Sequence, residues 1–121
     1  MALVAVCGCL SVLGCAGGVD RLAATNEYAI SAAQQGLWKE AVYRWEQAIE
    51  IDDGDARVWN NVAVAYEANG RLEDAIGAYR KGLTLDPGND ELARNLLRAQ
   101  GRQLRSTPPP EPSTGTPFDD E

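Results

Sequence analysis

Residues 57–87 read RVWNNVAVAYEANGRLEDAIGAYRKGLTLDP. Val58, Val62, Ala65 and Tyr66 recur at helical spacing, and Leu72, Ala75, Ile76, Tyr79 and Leu83 do the same after Gly70. The stretch therefore predicts two helices, about 56–69 and 72–85, broken at Gly70 and stopped by Pro87-Gly88. Two adjacent asparagines, Asn60 and Asn61, interrupt the apolar pattern of the first. Asparagine is a mediocre helix former, because its amide competes for nearby backbone groups. Such a pair needs a reason.

The same design occurs once before. A shift of 34 residues aligns Gly36 with Gly70, Ala41 with Ala75, Trp45 with Tyr79 and Ala48 with Gly82. The earlier copy predicts helices at about 22–35 and 38–52. A fifth helix, about 89–104, places Leu92, Leu96 and Leu97 towards the preceding helices and leaves its other faces polar, with Asn89 or Asp90 as N-cap. The small residues Ala41, Ala63, Ala75 and Gly82 allow close approach of helices.

The motif Trp59-x2-Val62-Ala63-x2-Tyr66, Ala75-x3-Tyr79, Pro87 resembles the tetratricopeptide repeat, whose pattern is W-x2-L-G-x2-Y, A-x3-F, P. In the first copy Thr25 and Ala32 stand where the tryptophan and tyrosine would be. The resemblance implies an all-α fold of antiparallel helix hairpins. That is two repeats, about 22–55 and 56–89, and a C-terminal capping helix, within a domain of 22–105 that forms a fragment of a right-handed solenoid. About three repeats are usually needed for stability, so self-association or a bound partner is expected to add to a thin margin.

The flanks differ from this domain. Residues 2–19 carry no charge, and the apolar run 2–13 ends in VLGCAGG. It is too short to span a bilayer and suits a signal-peptide core. The ending is similar to a bacterial lipobox. That resemblance implies a signal peptide over 1–14, a lipidated Cys15, a linker to 21 and a membrane partner. Ala16, not Asp, follows the cysteine, which points to the periplasmic side of the outer membrane. Leu13, and the lack of a basic residue before the apolar run, depart from the pattern. At the other end, 106–121 holds five of the six prolines and four acidic residues, and Phe118 is its one large apolar residue. That composition predicts a disordered acidic tail.

Several functions are excluded on composition. The 121 residues contain no histidine, the commonest general base and metal ligand. The net charge of −7 argues against nucleic-acid binding. All three cysteines lie at or before Cys15, so no zinc site is expected, and Asp52, Asp53 and Asp55 are too few for calcium. No nucleophile–base pair or phosphate loop is visible. Neither enzyme nor cofactor is expected.

What remains is binding. In tetratricopeptide arrays the first helix of each repeat lines a concave groove. The resemblance places Asn60 and Asn61 there, with Asn26 and Asn95 each 34 residues from one of them. Amides offer a donor and an acceptor together, which suits the backbone of an extended peptide. Arg94, Arg98 and Arg102 form a basic stripe, with no acid after Glu91 on that helix. Asn26, Asn60, Asn61, Arg94, Asn95 and Arg98 are thus the candidate peptide-binding residues, and an acidic segment is the expected ligand. Some family members hold a peptide C-terminus with a two-carboxylate clamp. Asn61 matches that clamp, whereas Asn26, Ile30, Glu91 and Asn95 stand at its other corners. The function implied is a lipid-anchored adaptor or assembly factor of the bacterial cell envelope. The alternative is a soluble, non-lipidated scaffold, or a regulator whose acidic tail occupies its own groove.

Overall fold

A computed structural model describes residues 16–108. Cys15, the signal-peptide segment and most of the acidic tail lie outside the described residues. Five helices follow in order: α1 (Ala16–Gln34), α2 (Trp38–Ile51), α3 (Ala56–Ala68), α4 (Leu72–Leu85) and α5 (Asp90–Ser106). Each packs mainly on its neighbours in sequence, α1 on α2, α2 on α3, α3 on α4 and α4 on α5. The two expected hairpins and the capping helix are therefore present.

The turns explain the hairpins. Gly36 and Gly70 adopt φ of 74° and 75°, the left-handed region that residues with a Cβ avoid. At both turns the chain reverses within three residues, and the backbone N–H of Leu37 and of Arg71 returns to a carbonyl of the helix just left. Asp55 caps α3 by accepting from the Arg57 backbone N–H at 2.9 Å, and Asn89 caps α5 by accepting from Leu92 at 3.1 Å.

The core is built from small residues. Ala29, Ala41, Ala48, Ala63 and Ala75 are wholly buried, interleaved with Val62, Tyr79, Leu92 and Trp45. A Cβ on Gly82 would meet both Leu92 methyls at 3.0 Å, so α5 approaches α4 as closely as a glycine permits. Trp59 and Tyr66 are only half-buried, and each sends its polar tip to the preceding repeat. The Trp59 indole N–H donates to the Asp53 carbonyl at 2.7 Å, and the Tyr66 hydroxyl to Glu46 at 2.8 Å. Burial, then the Glu46 carboxylate, pushes the Tyr66 phenol up to about 12.

Three expectations change. Residues 16–21, read as a linker, are helical, since α1 begins at Ala16. No proline interrupts that stretch, and Leu22 packs against the core beyond it. The last helix runs to Ser106, where the Ser106 and Thr107 hydroxyls donate to the Gln103 carbonyl and satisfy it. Leu97, expected to face the preceding helices with Leu92 and Leu96, is exposed instead.

Ala75 and Arg80 provide a test of this packing. Ala75→Leu overpacks a wholly buried position and should lower stability by about 1–3 kcal/mol in urea titrations followed by circular dichroism. Arg80→Ala, at an exposed position of the same helix, should change it by less than about 0.5 kcal/mol.

Candidate functional site

A depression of about 360 Å³ opens between α1 and α3. Ile30, Ala33 and Gln34 of α1 face Asn60, Asn61 and Val64 of α3, Trp38 and Trp45 of α2 also line it, and Glu91 of α5 stands among the lining residues. Ile30 and Val64 are exposed despite being aliphatic. Both asparagines of the pair therefore reach the groove.

Their amides differ in what they have left to offer. Asn60 Nδ2 donates to Glu91 Oε1 at 3.3 Å, and Asn60 Oδ1 accepts from Asn95 Nδ2 at 3.0 Å. Asn60 thus bridges α3 to α5. Asn26 accepts at Oδ1 from the Trp45 indole N–H at 2.8 Å and fixes α1 to α2. Among the described residues no hydrogen bond engages the Asn61 side chain, which lines both this groove and the adjoining hollow beside Asn89 and Leu92. Of the four amides aligned by the repeat, Asn61 is the one open at both ends.

The arginine stripe is largely committed. Arg98 donates to Asn95 Oδ1 at 3.0 Å and to Glu67 Oε1 at 3.1 Å. Arg102 donates to Glu67 Oε2 at 2.5 Å, and the buried Tyr79 hydroxyl to Glu67 Oε1 at 2.7 Å. The Glu67 side chain is only 8% exposed. Burial works to raise its carboxyl; the bonds from Tyr79 and Arg98 and the charges of Arg98 and Arg102 outweigh this and hold it below the usual carboxylate range. Burial and the hydrogen bond to Glu67 push the Tyr79 phenol far up. Neither Arg94 nor Arg98 lines the groove, where Glu91 is the one charged side chain. The structure therefore joins Asn60, Asn95, Arg98 and Glu67 in one ladder across α3 and α5, leaves Asn61 in the groove, and keeps Asn26 on a separate contact.

A larger open hollow, about 780 Å³, lies between the end of α2 and α4, lined by Asp52, Asp53, Trp59 and Lys81 among others. There Lys81 stands 3.6 Å from Asp53, and Asp52 accepts from the Gly54 backbone N–H at 2.8 Å. Val64 and Glu67 are the site residues that the sequence does not single out.

Comparison with known proteins agrees with this architecture. A tetratricopeptide repeat family model matches residues 26–90, and the chain belongs to that family. Sperm-associated antigen 1 of Mus musculus is 30% identical over 71% of this chain and 9% of its own length. Small glutamine-rich tetratricopeptide repeat-containing protein 2 of Mycosarcoma maydis is 32% identical over 65% of this chain and 22% of its own. Photosystem I assembly protein Ycf3 of Synechococcus is 30% identical over 55% and 40%. The chain thus spans less than half the length of these relatives. The Arabidopsis OM64 tetratricopeptide domain superposes with a TM-score of 0.70 at 20% identity, covering 74% of both chains. The second such domain of Spaghetti (RPAP3), bound to the HSP90 peptide SRMEEVD, gives 0.68 at 15% over 74% of this chain and 84% of that one. This chain is a tetratricopeptide-type protein–protein interaction module.

Glu67 makes stability depend on acid. Its carboxyl is depressed in the folded state, so its contribution is fully present above the ordinary carboxylate pKa and is lost as pH falls through the folded value. Glu67→Gln should cost about 2 kcal/mol at pH 7, the scale of hydrogen bonds to a charged group. It should also flatten the decline of stability between about pH 5 and pH 2, measured by urea melts across that range.

Proposed function

We propose that the chain is a lipid-anchored adaptor or assembly factor of the bacterial cell envelope, a binding protein without a catalytic step. Its partner contributes an extended peptide segment to the concave groove, where Asn61 offers an unengaged amide between the exposed aliphatic side chains Ile30 and Val64. That one observation carries the reading. The charge balance revises the expected ligand: with Arg98 tied to Glu67 and Glu91 in the groove, a neutral or apolar segment fits better than an acidic one.

Two similarities support an assembly role. Among related proteins are one named for photosystem I assembly and one, from Bradyrhizobium diazoefficiens, named for cytochrome c-type biogenesis, 32% identical over 63% of this chain and 21% of its own length. The anchor rests on VLGC at residues 12–15. Each acyl methylene buried in the bilayer contributes about 0.8 kcal/mol, so several chains hold a protein firmly.

Both halves are testable in cells. Radioactive fatty acid should label the parent, and Cys15→Ala should lose the label and leave the membrane fraction or remain uncleaved. Equal labelling of parent and variant would remove the anchor from the reading. A photo-crosslinking amino acid at Val64 should capture a partner that one at Arg80, on the outer helix α4, does not. Asn61→Ala should reduce that capture about tenfold while leaving the melting temperature unchanged, since one lost hydrogen bond corresponds to about 1–1.5 kcal/mol.

A further inference from the structure

The 34-residue register continues into α5 and exposes a contrast there. It aligns Ala29 and Ala63 with Leu97, and the turn residues Gly36 and Gly70 with Leu104. Ala29 and Ala63 are wholly buried, because α2 and α4 fold back over α1 and α3. Leu97 is 69% exposed and Leu104 78%. A leucine is strained in the left-handed turn that glycine takes freely, and α5 runs on through Leu104 to Ser106. Among the described residues the face covered in each earlier hairpin is therefore open here, and it carries two leucines seven residues apart on one side of the helix. By helical spacing Arg94 and Arg105 border this ridge, and neither forms an ion pair among the described residues.

We propose that this ridge is covered by the chain's own residues 116–121, TPFDDE, with Phe118 between Leu97 and Leu104 and the acidic residues beside Arg94 and Arg105. The match is chemical. Phe118 is the one large apolar residue of 106–121, and it directly precedes Asp119, Asp120 and Glu121. Opposite charge sits where the ridge has arginine. Reach is sufficient: residues 109–117 extend to about 28 Å at about 3.1 Å per residue, while Leu97 lies about 15 Å back along the helix from Thr107. A tether this short holds the segment at about millimolar effective concentration, so even a weak contact is populated. A second copy is the poorer occupant, because apposing two such faces brings Arg94 and Arg105 of each against the other. The site is distinct from the groove, where the same acidic segment would meet Glu91.

The test is nuclear magnetic resonance of the full chain with labelled leucine and valine methyls. Nuclear Overhauser contacts should connect the Phe118 ring to the methyls of Leu97 and Leu104. Phe118→Ala should abolish them and shift both leucine signals, leaving the core Val62 methyls in place. Arg94→Glu with Arg105→Glu should weaken the same contacts, and so should molar salt. The proposal is overturned if Phe118→Ala leaves the leucine signals unmoved. It is equally overturned if those signals move with protein concentration alike in parent and variant, which assigns the ridge to a second copy, or if only anionic vesicles move them, which assigns it to a membrane.

Discussion

A carboxylate that is only 8% exposed holds the C-terminal half of this molecule together. Glu67 projects from α3 and receives Tyr79 from α4 and Arg98 and Arg102 from α5. Burying such a charge is costly, and it persists because donors from two further helices meet it. Removing any donor leaves a partly desolvated anion, so the three helices constrain one another through one side chain. The amide bridge from Asn60 to Asn95 extends this link along the interface of α3 and α5. Stability and specificity meet here: the arginines that neutralise Glu67 are the ones that an acidic ligand would have required.

The repeat was legible in the sequence because its signals are local and regular. Glycines at 36 and 70, small residues at matched positions and a period of 34 place the helices to within a residue or two at most boundaries. The start of α1 was not legible, because nothing between Ala16 and Leu22 marks a boundary and the uncharged segment before it suggested a linker. The side-chain pairings were harder for another reason. Asn60 and Asn61 look alike in sequence, and what separates them is that Asn60 meets Glu91 and Asn95, 31 and 35 residues away. Arg98 and Arg102 look unpaired on their own helix because their partner lies at the same separations, 31 and 35. These separations bracket the repeat period. Searching for opposite charges one period apart, and not only three or four residues apart, would have found Glu67.

Polar tips also stitch successive elements where the apolar core is thin. Asn26 receives the Trp45 indole, Glu46 the Tyr66 hydroxyl and Glu67 the Tyr79 hydroxyl. Each joins an aromatic ring to a polar residue 12 to 20 positions away. With alanine at many of the closest contacts, little hydrophobic surface is available for each helix, and these bonds contribute to the register between them. A solenoid whose units touch only their neighbours depends on such interface contacts for cooperative folding.

Leu104, at the register position of Gly36 and Gly70, also bears on how such an array is extended. Gly36 and Gly70 each let a second helix fold back, whereas α5 runs through the corresponding position as a continuous helix. Among the described residues α5 is the last helix, and its open face is where a further helix would pack. Placing glycine at 104 and alanine at 97, and grafting the α4 sequence after it, would regenerate the contact that Ala63 makes and complete a third unit. The repeat is in that sense an extensible ruler, whose next division depends on a single turn.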